Sequence, residues 1–442
     1  MPRCAGVMTA VMSSWKARHR DRIHVRAWNS LQENWKRTCS TIFWKGCDTP
    51  MSIRNCALES KAFTALKEVW DHRDAEAAKW RAQGKKVVGK LGFDVPDELL
   101  IAADMLPVQI YADPDRSLEE TNKYLEYAFE PVVRAQFEKL IDGTYGEQLD
   151  ALAISNSTDV VIRIFLYLRE LHRVEPEKNL PPFAFIDWLF TRHQMHQKRN
   201  EFVMDLFRKQ VEEWAGHEIT DEAIREAGKI CNENRQALRE MAALRHGDEV
   251  HIAGSEAMVI IGAGLFMERT AHTELVRQVT EDAKSWPVLE GPRVFYTGAE
   301  HEDTALYEKI EAKGLVVVGE DTNWGDRYYN RDFNLEYPVT RALVDRYMLR
   351  EFSAKKAFVS QRVEALEREV EETKPEAVIF YTNLYDEVAT WDMPNQRKSL
   401  AARGIKSCTF GRMLWPAAKN EDLDEKLAAF AEELKAGKGG DQ

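Results

Sequence analysis

The sequence predicts an α/β protein with two lobes, each built on a doubly wound parallel sheet of the Rossmann or flavodoxin type, and a helical segment between them. Apolar runs of strand length alternate with helical patterns between residues 106 and 187, and the alternation returns after Gly291-Pro292. Such alternation is typical of parallel strands joined by helices. Residues 193–285 are predicted to be mostly helical. A length of 442 residues also favours two or three domains over one.

The N-terminal lobe is predicted to begin with helix over about 58–85. Asp97 and Glu98 follow Val95-Pro96 and start a short helix that runs through Asp104. Because helical patterns separate the strands that come next, those strands are predicted to be parallel. They are expected at 106–111, 151–155 and 183–187.

In the helical segment, five apolar residues recur at spacings of three and four and predict one apolar stripe. These residues are Val203, Leu206, Phe207, Val211 and Trp214. The turn at 216–221 interrupts the helix, and Thr220 or Asp221 can cap the next one. Gly262-Ala263-Gly264 lacks the third glycine of a phosphate-binding loop, because position 267 is Met, and so predicts close helix packing instead.

The C-terminal lobe is predicted to start after Gly291-Pro292 and to repeat the alternation of the first lobe. A long charged helix, roughly 339–373, is expected to connect its middle two strands. The four strands are expected at 293–297, 315–318, 377–381 and 406–410.

The first fifty residues differ from the rest. They contain nine lysines and arginines against three acids, and no hydrophobic period is sustained there. We expect a basic, disordered leader or a stretch upstream of a true start at Met51, with a targeting peptide as a weaker alternative. The expected organisation is this leader at 1–50, an N-terminal α/β lobe at 51–215, a helical segment at 216–290, a C-terminal α/β lobe at 291–436 and a tail at 437–442.

The bulk composition argues against several classes of protein. The net charge of −12 is opposite to that of a general nucleic-acid binder, and the longest apolar run, 257–267, is too short to cross a bilayer. The six cysteines form no C-x-x-C pair and predict neither a disulfide framework nor a closed zinc site. We therefore expect reduced thiols in a cytoplasmic protein that binds no nucleic acid and no membrane.

Two matching turns are the most informative local feature. Asn156-Ser157-Thr158-Asp159 follows the strand-like run that starts at Ala151, and Asn383-Leu384-Tyr385-Asp386 follows the run that starts at Ala377. Ligands of open α/β sheets lie just beyond the carboxyl ends of the strands. If the two lobes face one another, both turns are expected to border a common cleft. Convergent turn chemistry is the alternative, because Asn and Asp both favour such turns.

Four stretches, in this order, resemble the subunits of the 2-hydroxyacyl-CoA dehydratase and benzoyl-CoA reductase family, of the 2-hydroxyglutaryl-CoA dehydratase D-component type. The first, Val95 to Val108, is similar to the family's PEEL…AAG-L-P-V pattern. The others are 149–163 with its Asn156 turn, 291–298 with 314–318 and Asp321, and 377–394 with 404–406. Together they span most of residues 90–415.

The resemblance implies paired subunits, an ATP-hydrolysing activator protein, an acyl-CoA thioester as substrate and a [4Fe–4S] cluster held by three cysteines. Here the corresponding positions are Glu130, Thr158 and Tyr385. Such clusters need soft thiolate ligands, which these side chains are not. We therefore expect no cofactor on this chain, and a [4Fe–4S] cluster on a homologous partner subunit.

The resemblance and the two turns together give the candidate site. Glu98 and Tyr385 are the candidate catalytic residues, although the alternative for Glu98, an acid that stabilises a helix N-terminus, is favoured by its position after a proline. Asp159 and Asp386 can bind a ligand or simply cap helices. The candidate substrate-binding residues are Asn156, Thr158, Asp159, Arg134, Asn383 and Asp386.

Three functions remain open at this point. The first is the cluster-free partner in a heteromeric, ATP-activated dehydratase or reductase. The second is an independent, cluster-free acyl-CoA lyase or hydratase that uses Thr158, Tyr385 and Glu130, with Tyr385 as the proton donor. The third is a non-catalytic assembly subunit.

Overall fold

The computed structural model describes residues 53–350 and 357–438. The predicted leader and the end of the predicted tail lie outside these ranges. The predicted domain boundaries themselves stay predictions.

The first lobe is a four-stranded parallel sheet with helices on both faces. Its strand order is β2-β1-β3-β4, with Val88 beside both Pro107 and Ala151. The elements are α1 (Asn55–Glu59), α2 (Lys61–Asp71), α3 (Ala75–Ala82), β1 (Lys86–Leu91), α4 (Asp97–Ala102), β2 (Met105–Gln109), α5 (Pro131–Ile141), β3 (Ala151–Ser155), α6 (Asp159–Val174) and β4 (Phe183–Ile186), with short 3₁₀ turns at Thr121–Lys123 and Pro176–Lys178.

Four helices follow and pack between the lobes. Phe207 and Val211 of the predicted stripe are buried, whereas Leu206 is exposed to solvent. The helices are α7 (Gln194–Ala215), α8 (Asp221–His246), α9 (Gly254–Ala263) and α10 (Arg269–Ala283). Thr220 caps α8, because its side chain accepts a hydrogen bond from Ala223 N.

The second lobe repeats the first. Its sheet is also four-stranded and parallel, and the order β6-β5-β7-β8 places the strands in the same sequence as in the first sheet. The elements are β5 (Arg293–Gly298), α11 (Ala305–Glu311), β6 (Val316–Glu320), α12 (Val339–Met348), α13 (Val359–Thr373), β7 (Ala377–Asn383), α14 (Glu387–Ala402), β8 (Lys406–Met413) and α15 (Leu423–Lys438), with 3₁₀ turns at Asp326–Tyr329 and Ala417–Lys419.

The predicted fold class is confirmed, since the structure has two all-parallel sheets with helices around and between them. Strand β1 was not predicted from the sequence, because its segment KVVGKL contains two lysines and a glycine. The second of these lysines, Lys90, is buried and forms an ion pair with Asp97. A charge that would normally lie at the surface is thus accommodated by a partner on the next helix.

The single long helix predicted over 339–373 is wrong. Helix α12 ends at Met348, and α13 begins only at Val359. The two helices pack on different surfaces: Val344 and Tyr347 of α12 pack against the first lobe and α7, whereas Leu366 and Val370 of α13 cover the second sheet. One straight helix cannot bury both apolar faces in these two places, and the chain therefore breaks between them.

Close helix packing at Gly262 and Gly264 is confirmed. A β-carbon on Gly262 would lie 2.1 Å from Cζ3 of Trp70, and one on Gly264 would lie 2.5 Å from Cε1 of His272. Both distances are far shorter than a normal contact between carbon atoms. Helix α9 can therefore approach α2 and α10 only because these positions lack side chains.

We expect Gly262→Ala to lower the free energy of unfolding by about 1–3 kcal/mol, because the added methyl group must displace the Trp70 ring in a packed core. Urea unfolding followed by fluorescence measures this change. Gly411→Ala is the matched control, because its β-carbon would have no neighbour closer than 3.9 Å. Equal effects of the two substitutions would contradict the packing argument.

Candidate functional site

Each Asn-x-x-Asp turn follows the third strand of its sheet, β3 in the first lobe and β7 in the second. Each turn leads directly into a helix. Thr158 caps α6, because its hydroxyl accepts a hydrogen bond from Val161 N at 3.2 Å. Asp386 is at the N-cap position of α14, and Tyr385 before it has a φ of 70°, in the left-handed region. The two turns therefore occupy equivalent positions in the two lobes, between the third strand and the helix that follows it.

The second lobe contacts the first lobe through the loops at the carboxyl ends of its strands. The ring of Tyr385 lies 6.1 Å from that of Tyr127, edge to face. Glu302, in the loop after β5, accepts hydrogen bonds from Ala112 N and from Gln136 Nε2, the latter at 2.6 Å. Trp415, after β8, packs on Ala112 and on Val132 and Ala135 of α5. Helix α5 is therefore the surface on which these loops converge.

Glu130 is the N-cap residue of α5 and lies among these loops. It is half-buried, and the described part of the chain gives its carboxyl group no hydrogen bond or ion pair. Burial, followed by the negative charges of Asp386, Glu300 and Glu302, raises the pKa of Glu130 to about 8. Helix α6 reaches the same place, since the guanidinium of its Arg163 lies 5.8 Å from the ring centroid of Phe129.

The loop 299–304 after β5 makes this cleft acidic. Glu300 accepts hydrogen bonds from Asn323 N at 2.9 Å and from Asn323 Nδ2 at 2.7 Å. Burial raises the pKa of Glu300, and it raises that of Glu302 to about 7. His301, which is buried between the rings of Tyr296 and Tyr381, has its pKa lowered by burial to about 3 and is neutral. Burial therefore makes the carboxyl groups of this cleft easier to protonate than free carboxyl groups.

This acidic loop has little signature in the sequence. Its only signal is the run Glu300-His301-Glu302-Asp303 directly after a predicted strand. A charge run of this kind is normally a solvated surface, and its burial follows only from the contact between the lobes.

Of the predicted site residues, the structure brings Asp386 close to Glu130 and places the ring of Tyr385 against that of Tyr127, three residues before Glu130. Thr158 and Asp159 are exposed at the start of α6. Arg134 is half-buried on α5, one turn after Glu130, and donates a hydrogen bond to Asn122 Oδ1.

The two predicted asparagines differ from one another. Asn156 is fully engaged in the backbone of its own lobe: its Oδ1 accepts from Trp188 N at 3.0 Å, and its Nδ2 donates to Trp188 O at 2.9 Å and to Asp187. Asn383 is also buried, but neither Nδ2 nor Oδ1 of its amide has a hydrogen-bond partner in the described residues. Asn383 therefore has free capacity to bind a ligand, whereas Asn156 holds its turn in place.

Glu98 lies in the interior and not at the mouth of the cleft. It forms an ion pair with Arg235, and Tyr347 Oη donates a hydrogen bond to its Oε2 at 2.8 Å. Burial alone would raise the pKa of Glu98, but the positive charges of Arg235 and Arg346 outweigh it, and the pKa is lowered. The carboxyl group is therefore ionised, and its catalytic role stays a prediction.

A sequence profile of the family described as 2-hydroxyglutaryl-CoA dehydratase, D-component, matches residues 93–434. The chain belongs to this family. It is 23% identical over 353 residues to the (R)-phenyllactyl-CoA dehydratase beta subunit of Clostridium sporogenes, covering 78% of this chain and 91% of the relative. It is 24% identical to the (R)-2-hydroxyglutaryl-CoA dehydratase subunit beta of Acidaminococcus fermentans, with 76% and 89% covered. One of the benzoyl-CoA reductase subunits of Thauera aromatica is 23% identical, with 58% and 66% covered.

The side chains of this family member do not fit the iron–sulfur cluster that the resemblance implies. The hydroxyl group of Thr158 caps α6, and Glu130 and Tyr385 offer oxygen atoms instead of thiolates. The thiols in the described ranges lie elsewhere, at Cys56 in α1, Cys231 in α8 and Cys408 in β8. Burial raises the pKa of Cys231 to about 12, which keeps it a thiol. Within residues 53–350 and 357–438, no three His, Cys, Asp or Glu side chains are grouped to hold a metal ion.

None of the described helices is both long enough and apolar enough to span a bilayer. This agrees with the absence of a long apolar run in the sequence.

The raised pKa of Glu130 predicts a specific pH dependence. The folded protein keeps a proton on this carboxyl group up to about pH 8, whereas the unfolded chain loses it near pH 4.5. Between these values the folded state binds more protons, and its stability falls as the pH rises. We expect Glu130→Gln to raise the thermal midpoint at pH 8 and to reduce its decline between pH 5 and pH 8.

Differential scanning fluorimetry across this pH range measures the effect. Glu126→Gln, which removes an exposed carboxyl group four residues earlier in the sequence, serves as the matched control. A pH profile of Glu130→Gln identical to that of the unmodified protein would show that the carboxyl group titrates normally.

Proposed function

We propose that this chain is a subunit of an ATP-activated enzyme of the 2-hydroxyacyl-CoA dehydratase or benzoyl-CoA reductase type. It acts on an acyl-CoA thioester in the cytoplasm, together with a homologous subunit that holds the cluster and an ATP-dependent activator protein. The observation that supports this most directly is the combination of the family's scaffold with oxygen-bearing side chains at the three positions where thiolates are needed. The names of the relatives, which are dehydratase and reductase subunits, support a heteromeric enzyme.

In this proposal the chain completes the pocket for the thioester. The protonated Glu130 can donate a hydrogen bond or a proton to an oxygen of the substrate, because its pKa of about 8 lies near the operating pH. Asn383 offers an amide with both its donor and its acceptor available. The aromatic pair of Tyr127 and Tyr385 bridges the two lobes.

The proposal is tested by reconstituting the complex without oxygen. The chain is co-purified with a cluster-bearing homologue and assayed with the activator, ATP and a 2-hydroxyacyl-CoA. We expect turnover only when all three proteins are present, with labile iron and sulfide on the homologue and not on this chain. Stoichiometric iron and sulfide on this chain alone would contradict the proposal, as would full activity of the homologue without it.

A second candidate function is an independent, cluster-free acyl-CoA lyase or hydratase. The raised pKa of Glu130 favours it, because a protonated carboxyl group is a general acid that needs no metal. Tyr385, which is exposed and packs against Tyr127, is the second possible proton donor.

A third candidate function is that of a non-catalytic assembly subunit. Such a subunit would form a stable complex by gel filtration but show no activity in any pairing.

We expect Tyr385→Phe and Glu130→Gln to lower the kcat of the isolated chain about 100-fold or more if it is such a lyase, because each removes one proton donor. The rate of hydration or dehydration of an acyl-CoA, followed by absorbance, measures this. Tyr337→Phe removes a different half-exposed hydroxyl group as the control. Unchanged turnover in the Tyr385 and Glu130 variants would eliminate this candidate.

A further inference from the structure

One buried group of charged side chains around the start of α4 contains more cations than anions. Among the described residues, eight members of this group interact with one another, and each is no more than 5% exposed. Five are cations and three are carboxylates, which leaves two cations without a matching anion. The cations are Lys90, Arg235, Arg269, Arg346 and Arg350, and the carboxylates are Asp94, Asp97 and Glu98.

Three of the cations are paired. Lys90 and Arg269 both contact Asp97, with Arg269 Nη2 at 3.0 Å from Oδ2, and Arg235 pairs with Glu98. These contacts use the charges of Asp97 and Glu98. Of the three carboxylates, Asp94 faces Arg350, whereas the acid that acts on Arg346 is Glu98, which is already paired with Arg235.

Arg346 and Arg350 are not fully neutralised by these carboxylates. Across the described ranges, Arg346 has no carboxylate within ion-pair distance, and the closest to Arg350 is Asp94 at 4.0 Å. Glu300, the next acid, already accepts from Asn323 and faces Arg327 at 3.6 Å. An arginine stays charged in proteins, and a buried charge without a counter-ion is strongly unfavourable. A ligand that supplies the missing negative charge would remove this cost.

The two guanidinium groups also have donors to spare. Arg346 donates through Nη2 to Tyr328 O at 3.1 Å, while its Nε and Nη1 have no partner among the described residues. Arg350 donates to Phe93 O at 2.7 Å and to Asn323 Oδ1, while its Nε has no partner there. Burial, followed by repulsion from Arg235, lowers the pKa of Arg346 to about 9, as expected where a positive charge is poorly stabilised.

These arginines lie where an α/β sheet binds ligands. Arg350 contacts Phe93, which follows β1, and Asn323, which follows β6, so it touches the carboxyl ends of both sheets. The order of the first sheet reverses between β1 and β3, which is the position of the ligand crevice in such folds. At this point the backbone of Gly92 has a φ of 94°, and the buried Oγ of Ser155 has no hydrogen-bond partner among the described residues.

Gly92 allows the backbone after β1 to pass close to two serine hydroxyl groups. A β-carbon at position 92 would lie 2.4 Å from Ser155 Oγ and 2.6 Å from Ser157 Oγ. The backbone therefore approaches two hydroxyl groups closely, as it does where a main chain must pass near a ligand. A hydroxyl group with spare hydrogen-bonding capacity and two arginines with spare donors are thus present in one part of the fold.

We propose that Arg346 and Arg350 bind one oxyanion, a carboxylate or a phosphate group, at the floor of the cleft between the lobes. Guanidinium groups bind both kinds of oxyanion through charge-assisted hydrogen bonds. In an acyl-CoA, the group would be a carboxylate on the acyl chain or a phosphate of coenzyme A. That last statement rests on the proposed function, whereas binding of a free oxyanion does not.

The first experiment measures stability without a ligand. Arg346→Met keeps the length of the side chain and removes the charge, so we expect it to raise the thermal midpoint of the full chain in Tris chloride, which contains no carboxylate, phosphate or sulfonate. Arg235→Met is the matched control and should lower the midpoint, because it leaves Glu98 buried and unpaired. A lower midpoint for Arg346→Met would show that this arginine is structural and would overturn the proposal.

The second experiment measures binding by calorimetry, with sodium phosphate, sodium glutarate and coenzyme A as separate probes. We expect phosphate or glutarate to bind, with at least tenfold weaker affinity in Arg346→Met and Arg350→Met. Arg277→Met, at an arginine 53% exposed on α10, should bind like the unmodified chain.

The choice of probe identifies the source of the oxyanion. Binding of glutarate alone indicates an acyl carboxylate, and competition between phosphate and coenzyme A indicates a phosphate of the cofactor. Binding that is equal in the unmodified chain and in Arg346→Met would overturn the proposal, as would a failure of all three probes to bind. The heteromer assay is independent of these outcomes, so the two proposals can fail separately.

Discussion

The arrangement of the cleft depends on a buried charge network at the start of α4. Asp97 holds Lys90 of β1 and Arg269 of α10, and the neighbouring Glu98 holds Arg235 of α8. Tyr347 of α12 bonds to both acids, accepting from Asp97 N at 2.9 Å and donating to Glu98. One short helix of the first lobe is thereby fixed to three helices outside it. Because breaking a buried ion pair leaves an uncompensated charge, this network resists any sliding of the two lobes.

A consequence of that fixed arrangement is the unusual chemistry of the cleft. The carboxyl ends of the two sheets approach each other, so the acids after β5 and β7 lie close to Glu130 in a space with little water. Burial disfavours the charged form of a carboxyl group and nearby negative charges add to this effect, so the pKa values of Glu130 and Glu302 rise to about 8 and 7. On the other side of Glu300, Arg346 and Arg350 are buried with too few acids. One part of the cleft thus contains carboxyl groups with raised pKa values, and another part contains buried arginines. This arrangement suits a ligand that has a carbonyl group for the first part and an anionic group for the second.

The candidate site was only partly accessible from the sequence. The Asn-x-x-Asp turns were visible in the sequence because a turn after an apolar run depends on local residue types. Tyr385 and Asp386 were expected to border the cleft because their turn follows a strand of a parallel sheet. Asn156 and Asn383 have the same local sequence context, yet one is fully bonded and the other has no partner among the described residues. Only the neighbours supplied by other segments, here Trp188 and Asp187, decide between these two outcomes.

The sequence by itself determined the fold class, seven of the eight strands and the tight packing at Gly262. These features depend on local periodicity or on the identity of single residues. The tertiary structure alone decided that Lys90 belongs to a buried strand, that the helix at 339–373 is two helices, that Glu130 keeps its proton and that Arg346 lacks a counter-ion among the described residues. The physical reason is that burial and electrostatic balance are sums over residues distant in the chain, and such sums have no signature in any one segment.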